Sequence, residues 1–213
     1  MIGDSLTAAE TFPNMTASLE PGKTFVGSKT TGAGTGHEGW SGYSAYNFVN
    51  TATNPFRQEG SFDIPYYLGT IGDPDIGWVI VSLGINDVFS YDLVDVPQKA
   101  SDAIVAINDM IVAFRDVYPN ARFVIGAPAM GSSSQATWDA SYAPPFNDID
   151  LWLAKRAIMV DAMASYAWTC PHDGIYYLEY DVNRATGYPV NNALHPNTSG
   201  YTAMATQLAA VID

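Results

Sequence analysis

The chain has 213 residues, 47% of them hydrophobic and 15% charged, a size and balance that fit one domain around one large core. Its 22 Asp and Glu outweigh 9 Lys and Arg, leaving a formal net charge of −13; such a chain repels phosphate backbones and anionic bilayers, so neither nucleic acid nor a membrane is an expected partner. No run approaches the roughly 18 consecutive apolar residues of a membrane span, and the single cysteine, Cys170, excludes an intrachain disulfide.

Ile2 ends a first short strand, and Gly3-Asp4-Ser5-Leu6-Thr7 follows at once. So little chain ahead of this segment leads to the expectation of one domain, residues 1–213, trimmed from a longer polypeptide. Residues 23–27 (Lys-Thr-Phe-Val-Gly) read as a second short strand, and the glycine-rich stretch 27–42 as a long loop. Residues 78–83 (Trp-Val-Ile-Val-Ser-Leu) form a near-continuous apolar run with β-branched members, as a strand covered on both faces requires. Pro97 suits the first turn of a helix reaching about Val117, with Ala103, Ile104, Ile107, Ile111 and Phe114 on one face. Residues 122–127 repeat the buried-strand signature, and 127–146 make a second long loop. A helix is predicted from Asp148 to about Trp168, and Ile175–Leu178 offer a weaker fifth strand. Asn197 or Thr198 can cap a last helix from about Ser199 to Ile212. This alternation predicts a parallel sheet with helices on both faces, and such a fold places its site on loops at the carboxyl ends of the strands.

The residues able to do chemistry fall on those loops. Gly3-Asp4-Ser5 sets a serine directly after a strand, beside a glycine that permits a tight turn. At a helix N-terminus its backbone N–H is free to face a developing oxyanion, although the same segment also describes a serine that caps a helix. Leu83-Gly84-Ile85-Asn86-Asp87 closes the strongest predicted strand, where Asn86 offers a side-chain amide donor or simply an Asx turn. Leu194-His195-Pro196-Asn197 precedes the last helix, and histidine is the side chain best poised to take a serine proton near neutral pH. Glu38-Gly39-Trp40-Ser41-Gly42-Tyr43 contributes glycines whose N–H groups can approach a ligand closely, or that only turn the chain. His37 and His172 lack comparable context, and Cys170 reads as buried packing. No His, Cys or Asp cluster has ligand spacing, so no metal and no other cofactor is expected.

Taken in order, Gly-Asp-Ser, Ser-Gly, Gly-Ile-Asn-Asp and His-Pro resemble the four sequence blocks of the SGNH (GDSL-type) hydrolases, from Gly3 to His195. The resemblance implies a flavodoxin-like three-layer α/β/α sandwich around a five-stranded parallel sheet. It implies Ser5 as nucleophile, His195 as general base, and an oxyanion hole of the Ser5 N–H, the Gly42 N–H and the Asn86 side chain. Gly42 is preferred to Gly39 because the family's block reads Ser-Gly, a larger residue, then Ser or Thr. One position departs from the family: the acid three residues before the histidine is here Asn192. Its oxygen can orient the imidazole but brings no charge. A backbone carbonyl could do the same, Asp173 or Asp181 could stand in, or the chain is a weakened relative or an Asp→Asn variant. The reading carried forward is a Ser5–His195 pair oriented by Asn192.

By the same resemblance the expected activity is removal of short acyl groups, acetyl first, from a small-molecule or polysaccharide ester. The Glu38–Tyr43 block looks like those of SGNH acetylesterases acting on polysaccharides, including domains of phage tail proteins, which implies an extracellular or virion-associated setting. The alternatives are a lipase, lysophospholipase or thioesterase on the same scaffold and, in a different class, a carbohydrate-binding domain without activity.

Overall fold

The computed structural model describes residues 1–51 and 53–213. The chain opens on β1 (Ile2–Gly3), both residues buried, and turns at once into α1 (Ser5–Ala8). The Asp4 side chain caps that turn by accepting the Leu6 N–H at 2.9 Å. α2 (Thr11–Leu19) follows and buries Phe12, Pro13 and Thr16. Residues 23–27, expected as a strand, form none. The sheet edge is built later, from β2 (Lys29–Thr30) and β3 (Gly36–Gly39) within the glycine-rich stretch. Phe25 and Val26 instead cross β3 at close range, where the Gly36 N–H donates to the Phe25 carbonyl. A two-residue apolar pair does not distinguish a strand from a segment packed across one.

α3 (Ala45–Asn50) begins at a capping box between Ser44 and Asn47. A small hairpin, β4 (Arg57–Gln58) and β5 (Ser61–Phe62), leads into α4 (Ile64–Thr70), which has Asp63 as its cap and Pro65 in its first turn. Then come β6 (Trp78–Ser82), α5 (Ile85–Val88) and the long α6 (Val96–Val117). The buried positions of α6 include Ala100, Ala103, Ile107, Ile111 and Phe114, three or four residues apart, one face of a 3.6-residue period. β7 (Arg122–Gly126), α7 (Gln135–Ser141), α8 (Ile149–Thr169), β8 (Ile175–Leu178) and α9 (Thr198–Ile212) complete the chain. Asp148 and Asn197 cap α8 and α9 through their side chains.

The sheet runs β2-β3-β1-β6-β7-β8. Its five strands from β3 to β8 are mutually parallel, in the flavodoxin-like order expected, and β2 adds an antiparallel sixth at the edge. β6 and β7 are buried along Val79–Ser82 and Phe123–Gly126, so helices cover both faces. The helices pack as two groups, α2 with α9, and α3, α4, α5 and α8 with α6. A cavity of about 350 Å³, lined by Phe25, Val26, Ile76, Val79 and Phe114, lies at the amino ends of the strands, opposite the loops that carry the candidate chemistry. Among the described residues no helix is long and apolar enough to cross a membrane.

Candidate active site

β1 lies between β3 and β6, with Ile2 beside Glu38 on one side and Val81 on the other. The loops leaving these three neighbouring strands carry Gly42, Ser5 and Asn86, so all three reach the same end of the sheet. This is also where the strand order reverses, the usual position of a site in an open parallel sheet. Ser5 is the first residue of α1, where the intrahelical ladder leaves the backbone N–H without a partner.

The two glycine candidates are separated by their surroundings. Gly39 ends β3, its N–H donates to His37 Nδ1 at 2.9 Å, and a Cβ there would lie 2.4 Å from the Ala8 nitrogen. It is a packing glycine that lets α1 sit on β3. Gly42 is exposed, has φ +78° and has open space around it. It occupies the left-handed position of a turn closed by the Tyr43 N–H donating to the Trp40 carbonyl at 3.0 Å. Asn86, half-buried on α5, donates one amide hydrogen to the Tyr43 carbonyl at 3.0 Å. Its second amide hydrogen remains for a ligand.

His195 Nε2 stands 2.8 Å from Ser5 Oγ, across 190 residues of chain. Its other ring nitrogen, Nδ1, stands 2.9 Å from Asn192 Oδ1. That same oxygen accepts the backbone N–H groups of His195 at 3.0 Å and Leu194 at 3.3 Å. An amide group has one oxygen and one nitrogen, and two backbone donors point at this end of it, so the end facing the imidazole is the oxygen. An oxygen facing Nδ1 puts the neutral imidazole's proton on Nδ1 and leaves Nε2 free to accept from Ser5. Burial lowers the His195 pKa below its usual 6.5, and no carboxylate contributes to the shift.

The acids considered as stand-ins are elsewhere. Asp173 precedes β8, at the amino ends of the strands, where its carbonyl accepts from the Arg115 guanidinium. Asp181 is exposed, and its backbone exchanges hydrogen bonds of 2.8 and 2.9 Å with the Gln207 side chain on α9. His37 is buried in β3, and Cys170 is the half-buried cap of α8 rather than a core residue. His172 precedes β8 at the far end of the sheet.

Three residues that the motifs did not single out also touch this loop system. The Ala193 N–H donates to Ser141 Oγ at 2.9 Å, and the Ala193 carbonyl accepts the Ser132 N–H at 2.8 Å. Both oxygens of Asp87 accept the Ala45 N–H, at 3.0 and 3.1 Å. The two serines have no local sequence signal, since their partners lie more than fifty residues away. Asp87 had one, its place beside Asn86.

No protein-family model and no curated protein matches the chain in sequence. Solved structures match it in fold. A carbohydrate esterase family 3 protein from Talaromyces cellulolyticus superimposes with a TM-score of 0.63 at 18% identity, covering 99% of this chain and 93% of its own. A carbohydrate acetylesterase family member from Sinorhizobium meliloti gives 0.60 at 17% identity, covering 99% and 94%. A family 3 carbohydrate esterase from Clostridium thermocellum gives 0.55 at 19% identity, covering 98% and 91%. At these identities the likeness is one of fold: a mixed α/β chain whose mostly parallel six-stranded sheet is flanked by helices.

Proposed function

We propose that this protein is a serine esterase of the SGNH kind that removes short acyl groups, acetyl first, from carbohydrate. The observation that carries the reading is the relay from Asn192 Oδ1 through the His195 ring to Ser5 Oγ, with spacings of 2.9 and 2.8 Å. The likeness in fold to carbohydrate esterases supports the choice of substrate class.

In this reading Ser5 Oγ attacks the ester carbonyl while His195 Nε2 takes its proton. The carbonyl oxygen becomes an oxyanion facing the Ser5 N–H, the Gly42 N–H and the free Asn86 amide hydrogen. Collapse breaks the bond to the sugar oxygen, which leaves with the proton held on His195. Water then attacks the acyl-enzyme, gives its proton to His195, and the acid departs as Ser5 regains that proton. Asn192 acts throughout as the acceptor that keeps the proton of neutral His195 on Nδ1. It offers no charge to the imidazolium, so its contribution is orientation.

The test is hydrolysis of a chromogenic acetate, followed by acetate release from a panel of acetylated polysaccharides. Wild type should turn over both, and Ser5→Ala should fall to the background rate while keeping its circular dichroism spectrum. Activity retained by Ser5→Ala removes the nucleophile assignment. A rate that climbs steadily from acetyl to octanoyl esters moves the protein to a lipase or thioesterase. No turnover on any ester, with sugar binding retained, makes it a binding domain.

A further inference from the structure

Asn86 and Asp87 are consecutive on α5, and both side chains reach the same neighbouring segment. Asn86 holds the Tyr43 carbonyl, and Asp87 holds the Ala45 N–H through both oxygens. Gly42 lies directly before these two anchor points, in an exposed turn whose other closure is the single Tyr43-to-Trp40 bond. Asp87 itself is only 5% exposed, and no lysine or arginine among the described residues pairs with it. A buried carboxylate without a cation is costly, and burial pushes its pKa up to about 6. What keeps it charged is backbone: the N–H groups of Ala45, Tyr46 and Gly84 favour the carboxylate. Capping α3 does not require an acid here. The Ser44 hydroxyl already accepts the Asn47 N–H at 3.2 Å, and Ser44 completes a capping box. Asp87 adds a crosslink between α5 and the start of α3, 42 residues apart.

We propose that Asp87 is a positioning residue of the oxyanion hole, clamping the segment that follows Gly42 to α5 and so holding the Gly42 N–H in register with the Asn86 amide. The proposal rests on the esterase reading above. Asp87 does not touch the substrate; it acts through Gly42. Its loss should therefore weaken transition-state stabilisation more than ground-state binding.

Two variants attack the clamp from opposite sides. Asp87→Asn keeps the shape but turns one acceptor oxygen into an N–H₂ group facing backbone donors. Ala45→Pro, at a first helical position whose backbone proline can adopt, deletes the N–H that Asp87 accepts and sets the ring against the carboxylate in its place. Each should lower kcat on a soluble acetate ester by about 10- to 100-fold, below the full cost of losing an oxyanion donor, with KM within about twofold. Assays are run where circular dichroism shows native protein, so if one variant fails to fold the other decides. Unchanged kcat in a folded variant, or a change confined to KM, overturns the proposal. The Ser5→Ala control separates the two levels: an inactive Ser5→Ala with a fully active Asp87→Asn overturns this inference alone, whereas an active Ser5→Ala overturns the esterase reading and this inference with it.

Discussion

At His195 the third partner is an amide rather than a carboxylate, and its value depends on which of its two atoms faces the ring. In serine proteases the corresponding Asp→Asn change costs about 10⁴ in rate because the wrong tautomer is stabilised. Here the backbone N–H groups of Leu194 and His195 also donate to Asn192 Oδ1, which makes oxygen the atom that faces the ring, the orientation that a base at Nε2 would require. The remaining deficit is charge. Asn192→Asp should raise kcat and move the His195 titration upward, because an adjacent carboxylate favours the imidazolium. The acid limb of kcat/KM should then shift to higher pH. In wild type that limb should lie below the usual 6.5, since burial lowers the His195 pKa and keeps its ring neutral to lower pH. Asn192→Ala removes the hydrogen bond that orients the ring, together with the acceptor of the Leu194 and His195 N–H groups, and should cost about tenfold in kcat. Identical pH profiles and rates for wild type and Asn192→Asp would rule out a Ser5–His195 pair oriented by Asn192. Asn86→Ala, by contrast, should cut kcat by about 10²–10³ with little change in KM; an effect on KM alone would make Asn86 a substrate-binding residue.

Among the elements, the histidine loop is held from outside itself. Ala193, between Asn192 and His195, gives its N–H to Ser141 at the end of α7 and receives the Ser132 N–H at its carbonyl. Asn197, two residues beyond His195, caps α9 by accepting the Gly200 N–H at 3.1 Å. The loop is thus strung between two helix ends, and its order depends on both. Ser141→Ala leaves the Ala193 N–H without that acceptor and should cost about 1–3 kcal/mol of stability, with a several-fold loss of kcat. Thermal denaturation and steady-state kinetics on the same preparation check both effects. A loss of stability without any kinetic change would mean that the loop keeps its geometry through the Ser132 and Asn197 contacts alone. Long elements were legible in advance: α6, α8 and α9 start and stop within a residue or two of the positions set by Pro97, Asp148 and Asn197. The strands at the sheet edge were not, although the short β1 and β8 were. β2, two residues long, gains its identity from its partner β3 rather than from its own side chains.

For the molecule as a whole, charge and burial act in the same direction. The net charge of −13 is self-repulsive, and two of the acids are buried beside the candidate site. Burial raises Asp4 from an ordinary 3.8 to about 7, and Asp87 to about 6. A folded-state value above the unfolded one means that the associated stability is complete below about pH 3.8 and is lost as pH rises through 6 and 7. The melting temperature should therefore fall between about pH 4 and 7, by about 5 °C or more for a chain of this size. Asp4→Asn should flatten that fall, since the amide keeps an oxygen for the Leu6 N–H and has no charge to bury. Equal slopes for wild type and Asp4→Asn would remove Asp4 as the source; a fall that added salt abolishes would then belong to surface charge, and one that salt leaves in place to Asp87. What the sequence alone determined is whatever depends on local pattern and order. Apolar periodicity announced the strands and long helices, and the four blocks in succession announced which loops carry Ser5, Gly42, Asn86 and His195. What only the tertiary structure decided are contacts between distant segments. These include the orientation of the Asn192 amide, the packing of Gly39 against α1, the placement of Asp173 and Asp181 away from His195, and the hydrogen bonds that Asp87 and Ser141 make to distant backbone. Each depends on where a backbone N–H from another loop points, and local side-chain pattern carries no record of that direction.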